Sequence, residues 1–475
     1  MARPIHKPRT AKDFTEGGIT RHLVEFSIPL FLGNLLQALY NTVDSIWVGR
    51  FLGPEALAAV SLSFPIVFTL VSMAVGLTMA TTVLVAQYFG ARKDDMVKET
   101  IETSLAFLSL LGVCVSILGM VFHRPILKLL NTPPEIMDMA ANYLAIYSAG
   151  LVFTFAYNVL GGIYRGLGDS RTPLLFLTYA TVMNIILDPI MIFGVFPFPR
   201  MNVAGAALAT VVSQAFSVLM GIRHLAGLGV SVWGGPRSRS GTTRPRINLS
   251  IAKLTVKIGL PAGIQQALVA LSGMAVVRIV NSFGTAVVAA YGAGVRLDQF
   301  ALMPSMSVSM AVSTLVGQNL GAGRMDRVRA TVNKAGVLAA GIAALISLVA
   351  LTWPRVLLTL FTTSAEVMAV GTRYLRIVGI SYIPFALMFV TNGALRGAGD
   401  TVPSMANTLG SLWLVRVPLA RYLSAKPSLG SDGVWIAIAT SQFVGMLLAR
   451  AYYATGRWKT KAIARREGDV PGSEF

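Results

Sequence analysis

The sequence is poor in cysteine, histidine and charge. Its 475 residues contain one cysteine, four histidines and 13% charged residues, whereas soluble domains carry about 25% charge. A single cysteine excludes a disulfide framework, and four scattered histidines argue against a histidine metal cluster. Acidic residues are scarce beside basic ones, with 21 Asp and Glu against 40 Lys and Arg. In contrast, 54% of the chain is hydrophobic and the mean hydropathy is +0.65, which is typical of an integral membrane protein.

Apolar runs of about 20 residues or more, the length that crosses a bilayer, recur along the chain. We interpret twelve of them as membrane spans. They lie near residues 24–49, 57–88, 99–122, 137–160, 174–197, 203–226, 252–282, 286–316, 332–353, 367–392, 404–424 and 433–454. The first run is too long for the apolar core of a signal peptide. The sequence therefore predicts an all-α integral membrane protein with twelve transmembrane helices.

The distribution of positive charge predicts the orientation of these spans. The N-terminus, the even-numbered connections and the C-terminus carry most of the Lys and Arg, whereas the odd-numbered connections hold seven. These seven are Arg50, Arg124, Lys128, Arg200, Arg355, Arg421 and Lys426. Because Lys and Arg accumulate on the cytoplasmic side, we predict a multi-pass protein of the plasma membrane with both termini in the cytoplasm. This asymmetry accounts for the net charge of +19, so we expect membrane lipid and no nucleic acid as a partner.

The two halves of the sequence repeat one another. The matching pairs are LVAQYFGA (84–91) with LVGQNLGA (315–322), RGLGD (165–169) with RGAGD (396–400), and EIMDMAANYL (135–144) with EVMAVGTRYL (366–375). The offsets 318−87, 396−165 and 366−135 all equal 231. Three matches at one offset indicate an internal duplication. Since each half has an even number of spans, the repeats are parallel and related by a pseudo-two-fold axis along the membrane normal.

This duplication predicts the domain organisation. Residues 1–233 form an N-terminal lobe with spans 1–6 and a basic arm, and residues 251–475 form a C-terminal lobe with spans 7–12 and a basic tail. The intervening segment 234–250, GGPRSRSGTTRPRINLS, is rich in Gly, Pro, Ser and Arg, as is typical of a linker. A cavity between such repeats, near the membrane midplane, is the default substrate path.

Several motifs in order carry a resemblance to a known family. They are the two RG-x-GD loops, the paired Gln-x-x-Gly-Ala sequences, LQALYNTVDSIWVGRFLG (36–53) and NIILDPIMIFG (184–194). Over almost the whole chain the sequence resembles the multidrug and toxic compound extrusion (MATE) family of the multidrug/oligosaccharidyl-lipid/polysaccharide exporter superfamily. The resemblance implies two six-helix lobes in a V shape around a central cavity. It also implies export of organic cations, driven by inward flow of Na⁺ or H⁺.

Three polar side chains of the first half lie at similar depth in the predicted bilayer. Asp188 lies about 22 Å from the cytoplasmic end of its span. Asp44 lies about 20 residues from the cytoplasmic end of its span, so it is also in the outer half. Thr210 lies about 12 Å from the outer end of span 6. Asn184 precedes Asp188 by four residues and Gln37 precedes Asp44 by seven, which puts each pair on one helix face. These oxygens could bind Na⁺, and a carboxylate held out of water could also bind a proton.

The MATE resemblance points to the same positions. In relatives with an N-lobe cation site, the coordinating residues match Asp44, Asn184, Asp188 and Thr210, and polar residues beside the site match Gln37 and Tyr143. The alternative is that these side chains only hydrogen-bond between helices, although intramembrane carboxylates are by default functional candidates. The sequence departs from some relatives at Gly161, where they carry an amide and where the second half of this chain has Asn392 (392−231).

The second half lacks the two carboxylates. Position 44 maps onto Ala275, and the pair Asp188-Pro189 maps best onto Val417-Pro418. Its spans carry other charges, which we predict to be buried: Arg278, Arg296, Asp298 and Arg416. Ion coupling is therefore predicted to be asymmetric, with the ion in the N-terminal lobe. The C-lobe charges are either structural or a second ion site, and their depths predict a buried ion pair between Asp298 and Arg416.

Two other functions compete with a cation-coupled exporter. A lipid-linked oligosaccharide flippase of the same superfamily would favour extra spans and an Arg-lined cavity. A membrane-embedded transferase would need a carboxylate or histidine set at the membrane surface, which no loop offers. We therefore expect no enzymatic activity, no cofactor apart from Na⁺ or H⁺ as the coupling ion, small organic cations as substrates, and a monomer.

Overall fold

The computed structural model describes residues 11–195, 199–227 and 247–463, and the chain there is almost entirely helical. Most of the predicted linker, 234–250, lies outside these residues. The first nine helices are α1 (Ile19–Phe51), α2 (Pro54–Gly90), α3 (Asp94–Leu129), α4 (Pro134–Gly166), α5 (Arg171–Phe193), α6 (Val203–Gly227), α7 (Leu249–Val280), α8 (Thr285–Gly321) and α9 (Met325–Thr352). The others are α10 (Pro354–Leu358), α11 (Ala365–Gly379), α12 (Tyr382–Gly397), α13 (Val402–Thr408), α14 (Val417–Ser424) and α15 (Asp432–Ala454).

All twelve predicted spans have helical counterparts, but two are irregular. Ten of the described helices are individually long and apolar enough to cross a membrane, and α11 with α12 forms a further span bent by 46°. The span predicted at 404–424 is α13, a π-helical segment Leu409–Arg416 and α14, which follow one another without a break. The sequence predicted neither the bend nor the π-helical segment, a feature that is frequent at functional sites.

The helices form two compact units that exchange short segments. The body of unit 1 is Leu32–Gly263, whereas unit 2 contains Phe14–Phe31 and the chain from Ile264 onward. The start of α1 therefore belongs to unit 2, and the start of α7 belongs to unit 1. Pro29 and Pro261 lie inside these helices, each two residues before the change of unit. Because proline removes a backbone donor and bends a helix, both changes occur beside a weak point of the helix.

The segment Phe14–Phe31 is held in unit 2 by the second Gln-x-x-Gly-Ala motif. The backbone N–H of Phe14 donates to Gln318 Oε1 at 2.9 Å, and its carbonyl oxygen accepts from Asn319 Nδ2 at 3.2 Å and from Arg327 at 3.0 Å. Phe14 itself is buried with Leu23 and Phe26 in the core of unit 2. The motif thus has a structural role, since it satisfies the backbone polar groups of a buried chain segment.

The internal duplication extends to helix packing. In unit 1, α4 packs against α2, α3 and α6, and in unit 2, α12 packs against α8, α9 and α15. A Cβ added to Gly162 of α4 would lie 2.6 Å from Thr78 of α2. At the equivalent position, 231 residues later, a Cβ added to Gly393 would lie 2.5 Å from the carbonyl oxygen of Ser309 in α8. Both halves therefore use a small residue for close helix approach, as membrane interfaces commonly do.

We expect Gly393→Ala to destabilise the protein, because the new methyl group would clash with the backbone of α8 at Ser309. Overpacking of this kind costs about 1–3 kcal/mol of unfolding free energy. Gly341→Ala is the control, since a Cβ at Gly341 of α9 has no atom within 4 Å. Thermal unfolding in detergent measures both variants. Equal melting temperatures would contradict the tight α8–α12 contact.

The RG-x-GD loops form turns at the ends of α4 and α12. Gly168 and Gly399 occupy equivalent positions and both have φ of +81°, a conformation that favours glycine. Asp169 then accepts hydrogen bonds from the backbone N–H groups of Arg171 and Thr172 at 2.9 and 3.0 Å. The Asp169 side chain therefore satisfies two backbone N–H groups at the start of α5.

Candidate functional site

Asp188 and Asn184 lie one turn apart on α5 and are both fully buried. Asn184 Nδ2 donates a hydrogen bond to Asp188 Oδ1 at 3.1 Å, as their spacing of four predicted. The second oxygen of the Asp188 carboxylate and the amide oxygen of Asn184 have no hydrogen-bond partner among the described residues. Two oxygen atoms capable of binding a cation are thus buried side by side without a donor.

Asp44 lies on α1 in the same unit. Its side chain is partly buried, and its Oδ1 atom is also buried without a hydrogen-bond partner in the described chain. The carboxylates of Asp44 and Asp188 lie near enough to interact electrostatically. Asp44 and Asp188 therefore come together, and with Asn184 they provide three unpaired buried oxygens.

Two tyrosines and Thr210 complete this cluster. Tyr40 donates a hydrogen bond to Thr210 Oγ1 of α6 at 3.0 Å, and both residues are buried. The hydroxyl groups of Tyr40 and Tyr143 interact electrostatically with both Asp44 and Asp188. Sequence analysis included Tyr143 and missed Tyr40, although Tyr40 precedes Asp44 by four residues and so shares its helix face.

A further polar group lies beside the cluster. Tyr147 stacks on Tyr143 with ring centroids 6.1 Å apart, and it interacts with Thr154 and Gln214. Thr154 in turn donates to Gln214 Oε1 at 2.6 Å. Sequence analysis missed these three residues, although Tyr147 follows Tyr143 by four, as Gln214 follows Thr210. The α4–α6 interface is therefore polar along one side of the candidate site.

Gln37 and Gly161 deviate from the predicted pocket. Gln37 is exposed and donates to Asn41 at 3.4 Å, and no hydrogen bond joins it to Asp44 or Asp188 in the described part of the chain. At Gly161, the guanidinium Nη1 of Arg165 lies 3.0 Å from the position that a Cβ would take. The side chain of Arg165 therefore folds back over the position where some relatives have an amide.

The C-lobe charges require two corrections. Arg278 and Arg296 are exposed, so the prediction that they are buried is wrong. Asp298 and Arg416 are partly buried, but no ion pair joins them among the described residues, so that prediction is also wrong. Arg416 instead donates from Nε to Ser441 Oγ at 2.8 Å.

Asp298 is held by two tyrosines. Tyr374 OH donates to Oδ2 and Tyr382 OH donates to Oδ1, both at 2.6 Å. Tyr374 belongs to α11 and Tyr382 to α12. The Asp298 carboxylate therefore accepts one hydrogen bond from each of the two helices that form the bent span. Trp435 packs edge-on against Tyr374 at 4.8 Å between ring centroids. Arg416 lies within electrostatic range of Asp298 without contacting it.

Comparison with known proteins agrees with this architecture. A family profile described as MatE matches residues 29–190 and 261–421, one match in each half. The chain is 35% identical over 455 residues to "Probable multidrug resistance protein YpnP" of Bacillus subtilis, covering 95% of this chain and 99% of the relative. It is 26% identical to a "FAD transporter" of Shewanella oneidensis, covering 92% of this chain and 94% of the relative. The fold matches a MOP superfamily transporter from Pyrococcus furiosus with a TM-score of 0.84 at 24% identity, covering 96% and 99% of the two chains.

Long apolar helices in two sequence repeats, with unpaired carboxylate oxygens buried inside one repeat of the described chain, define a multi-pass membrane transporter. The chain belongs to the MatE family. Its chemistry is accordingly the binding and movement of solutes across a membrane, and not the making or breaking of covalent bonds.

Proposed function

We propose that this protein exports organic cations and other drugs in exchange for inward Na⁺ or H⁺, and that the ion binds at Asp44, Asn184, Asp188 and Thr210. We further propose that the transporter is a monomer in the plasma membrane, with both termini in the cytoplasm, the orientation that the charge distribution favours. One observation carries it. Asp44, Asn184 and Asp188 each keep a buried oxygen that accepts no hydrogen bond from the part of the chain that the structure describes.

Unpaired buried oxygens are costly, because a polar atom removed from water loses hydrogen bonds that nothing replaces. Such atoms persist where a ligand satisfies them. Hard cations prefer carboxylate and carbonyl oxygens, and a carboxylate can equally take a proton. The three atoms therefore suit Na⁺, and the two carboxylate oxygens among them also suit a proton. Drugs as the exported class are supported by the 35% identical relative from Bacillus subtilis, which is named a probable multidrug resistance protein.

A second argument comes from the asymmetry of the halves. Among the described residues, Asp44 and Asp188 of unit 1 each keep an unpaired oxygen, whereas both oxygens of Asp298 in unit 2 accept hydrogen bonds from tyrosines. An ion would have to displace a tyrosine hydroxyl at Asp298, whereas no hydrogen bond from the described residues has to break at Asp188 Oδ2. This difference supports coupling through the first half of the chain.

Transport in proteoliposomes tests the proposal. The purified protein is reconstituted, and movement of ethidium is followed under an imposed Na⁺ gradient, an imposed H⁺ gradient, or none. We expect one gradient to drive ethidium against its concentration difference. FAD serves as the comparison solute, because one relative is named for it. Gradient-driven movement of FAD without movement of ethidium would overturn the assignment of organic cations, and movement of ethidium without any gradient would overturn ion coupling.

A further inference from the structure

A groove of about 310 Å³ runs along the outside of unit 2, between α9, α12 and α15. Its floor is built from small and apolar residues, among them Gly336, Val337 and Ala340 of α9 and Leu387 of α12. Val337 is 76% exposed. In a membrane such an apolar surface faces lipid, so the groove has the chemistry to hold part of an acyl chain.

The groove has a basic mouth at one end. Arg450 of α15 lines it, together with the exposed Asn333 of α9. Arg329 lies one helical turn before Asn333, and the charges of Arg329 and Arg450 both interact with the hydroxyl group of Tyr453. No ion pair joins either arginine to a carboxylate among the described residues. Two arginine side chains and a tyrosine hydroxyl group therefore lie near one another at this end of the apolar groove.

The position of this mouth fits the headgroup region of a bilayer. Arg329 lies in the first turns of α9, which begins at Met325, and Arg450 lies in the last turns of α15, which ends at Ala454. Just beyond α15, Trp458 stacks on Tyr453 with ring centroids 4.9 Å apart. Tryptophan and tyrosine are enriched at the boundary between water and hydrocarbon. The distribution of Lys and Arg between the connections predicts that this boundary is on the cytoplasmic side of the membrane.

A second groove, on unit 1, provides a contrast. It is similar in size, about 300 Å³, and is lined by Leu70, Leu118, Phe122 and other apolar residues of α2, α3 and α4. No basic residue lines it. The two grooves thus offer similar apolar surface, but only the groove on unit 2 pairs it with positive charge.

We propose that the groove on unit 2 binds one anionic phospholipid of the cytoplasmic leaflet. The phosphate group lies at Arg329 and Arg450, with Tyr453 as an additional donor, and one acyl chain lies along Gly336, Val337 and Ala340. Basic pockets between helices on the cytoplasmic side have the chemistry to recognise anionic headgroups. The apolar floor requires an acyl chain, and this distinguishes the ligand from a free phosphate compound.

Filling the groove tests the acyl-chain contact. A Cβ added to Gly336 would meet only Leu387 Cδ2 at 3.7 Å, an ordinary contact, so Gly336→Leu projects into the groove without a backbone clash. Gly341→Leu is the matched control, because it adds the same side chain to α9 where no atom lies within 4 Å. Native mass spectrometry with added phosphatidylglycerol measures the affinity for the first lipid. We expect weaker binding for Gly336→Leu and unchanged binding for Gly341→Leu.

Neutralising the mouth tests the headgroup contact without altering packing. We expect Arg450→Gln to weaken phosphatidylglycerol binding about fivefold, the effect of one cation near a lipid surface. Arg355→Gln removes the same charge from an exposed site just beyond the other end of α9 and should have no effect. Phosphatidylcholine with the same acyl chains should bind the wild type more weakly than phosphatidylglycerol does.

Three results would overturn the proposal. They are equal affinity of the wild type for the two lipids, unchanged affinity in both Gly336→Leu and Arg450→Gln, and displacement of the lipid by glycerol phosphate at equal concentration. The last result would identify a site for free phosphate compounds. None of these measurements depends on the coupling ion or the exported solute.

Discussion

Asp188→Asn and Asp44→Asn are each expected to reduce gradient-driven transport to the level of empty liposomes. The substitution keeps the size of the side chain and removes the charge that an ion must neutralise. At position 188 the amide oxygen can still accept the hydrogen bond from Asn184, so folding should be preserved. Asp138→Asn is the control, since Asp138 is an exposed carboxylate of the same unit whose ion pair with Arg124 lies at the surface and contributes little.

Thermal stability gives an independent measurement on the same variants. A ligand that binds only the folded state stabilises it, by about 2.7 kcal/mol at a concentration 100 times its Kd. If Na⁺ is the coupling ion, NaCl should raise the melting temperature of the wild type and of Asp138→Asn more than choline chloride does. The rise should be absent in Asp44→Asn and Asp188→Asn. Transport by Asp44→Asn at the wild-type rate would show that this carboxylate is structural.

Tyr374→Phe and Tyr382→Phe are each expected to lower the free energy of unfolding by about 1.5–3 kcal/mol, the contribution of a hydrogen bond to a charged group. Each substitution removes only the hydroxyl group that donates to Asp298. Tyr422→Phe is the control, because Tyr422 is 63% exposed. Thermal or denaturant unfolding in detergent measures all three variants.

A double-mutant cycle then identifies the true partner of Asp298. Asp298→Asn combined with Tyr374→Phe should deviate from additivity by about 0.5–3 kcal/mol, as residues in contact do. Asp298→Asn combined with Arg416→Gln should be closer to additive, because Arg416 bonds to Ser441. A larger deviation from additivity for Asp298 with Arg416 than for Asp298 with Tyr374 would support the ion pair that was predicted from depth in the membrane.

The sequence predicted the acidic cluster because its residues follow regular helix geometry. Asn184 and Asp188 share a face of α5 through their spacing of four, and the apolar residues on both sides of Asp188 make its carboxylate conspicuous. The same reasoning applied to Tyr40 would have found it four residues before Asp44. The 231-residue offset applied to Tyr143 leads directly to Tyr374 (143+231), the tyrosine that holds Asp298.

The sequence could not predict the partners of the C-lobe charges, for a geometrical reason. Counting residues along a span gives depth in the membrane, but not the direction in which a side chain points. Arg416 ends the π-helical segment Leu409–Arg416, whose wider turn rotates it away from the direction that a regular helix predicts. Asp298 in turn meets two tyrosines on either side of the bend between α11 and α12, and no local pattern indicated that bend.

The exchange of segments between the units has a consequence for biosynthesis. The glutamine that accepts the backbone hydrogen bond of Phe14 is synthesised 304 residues after Phe14 itself. At about 5–20 residues per second, the ribosome needs about 15–60 seconds to reach it. Throughout that time Leu23 and Phe26 lack the core in which they are finally buried. The segment Phe14–Phe31 is thus made well before the core that buries it, so completion of the fold awaits synthesis of the second half.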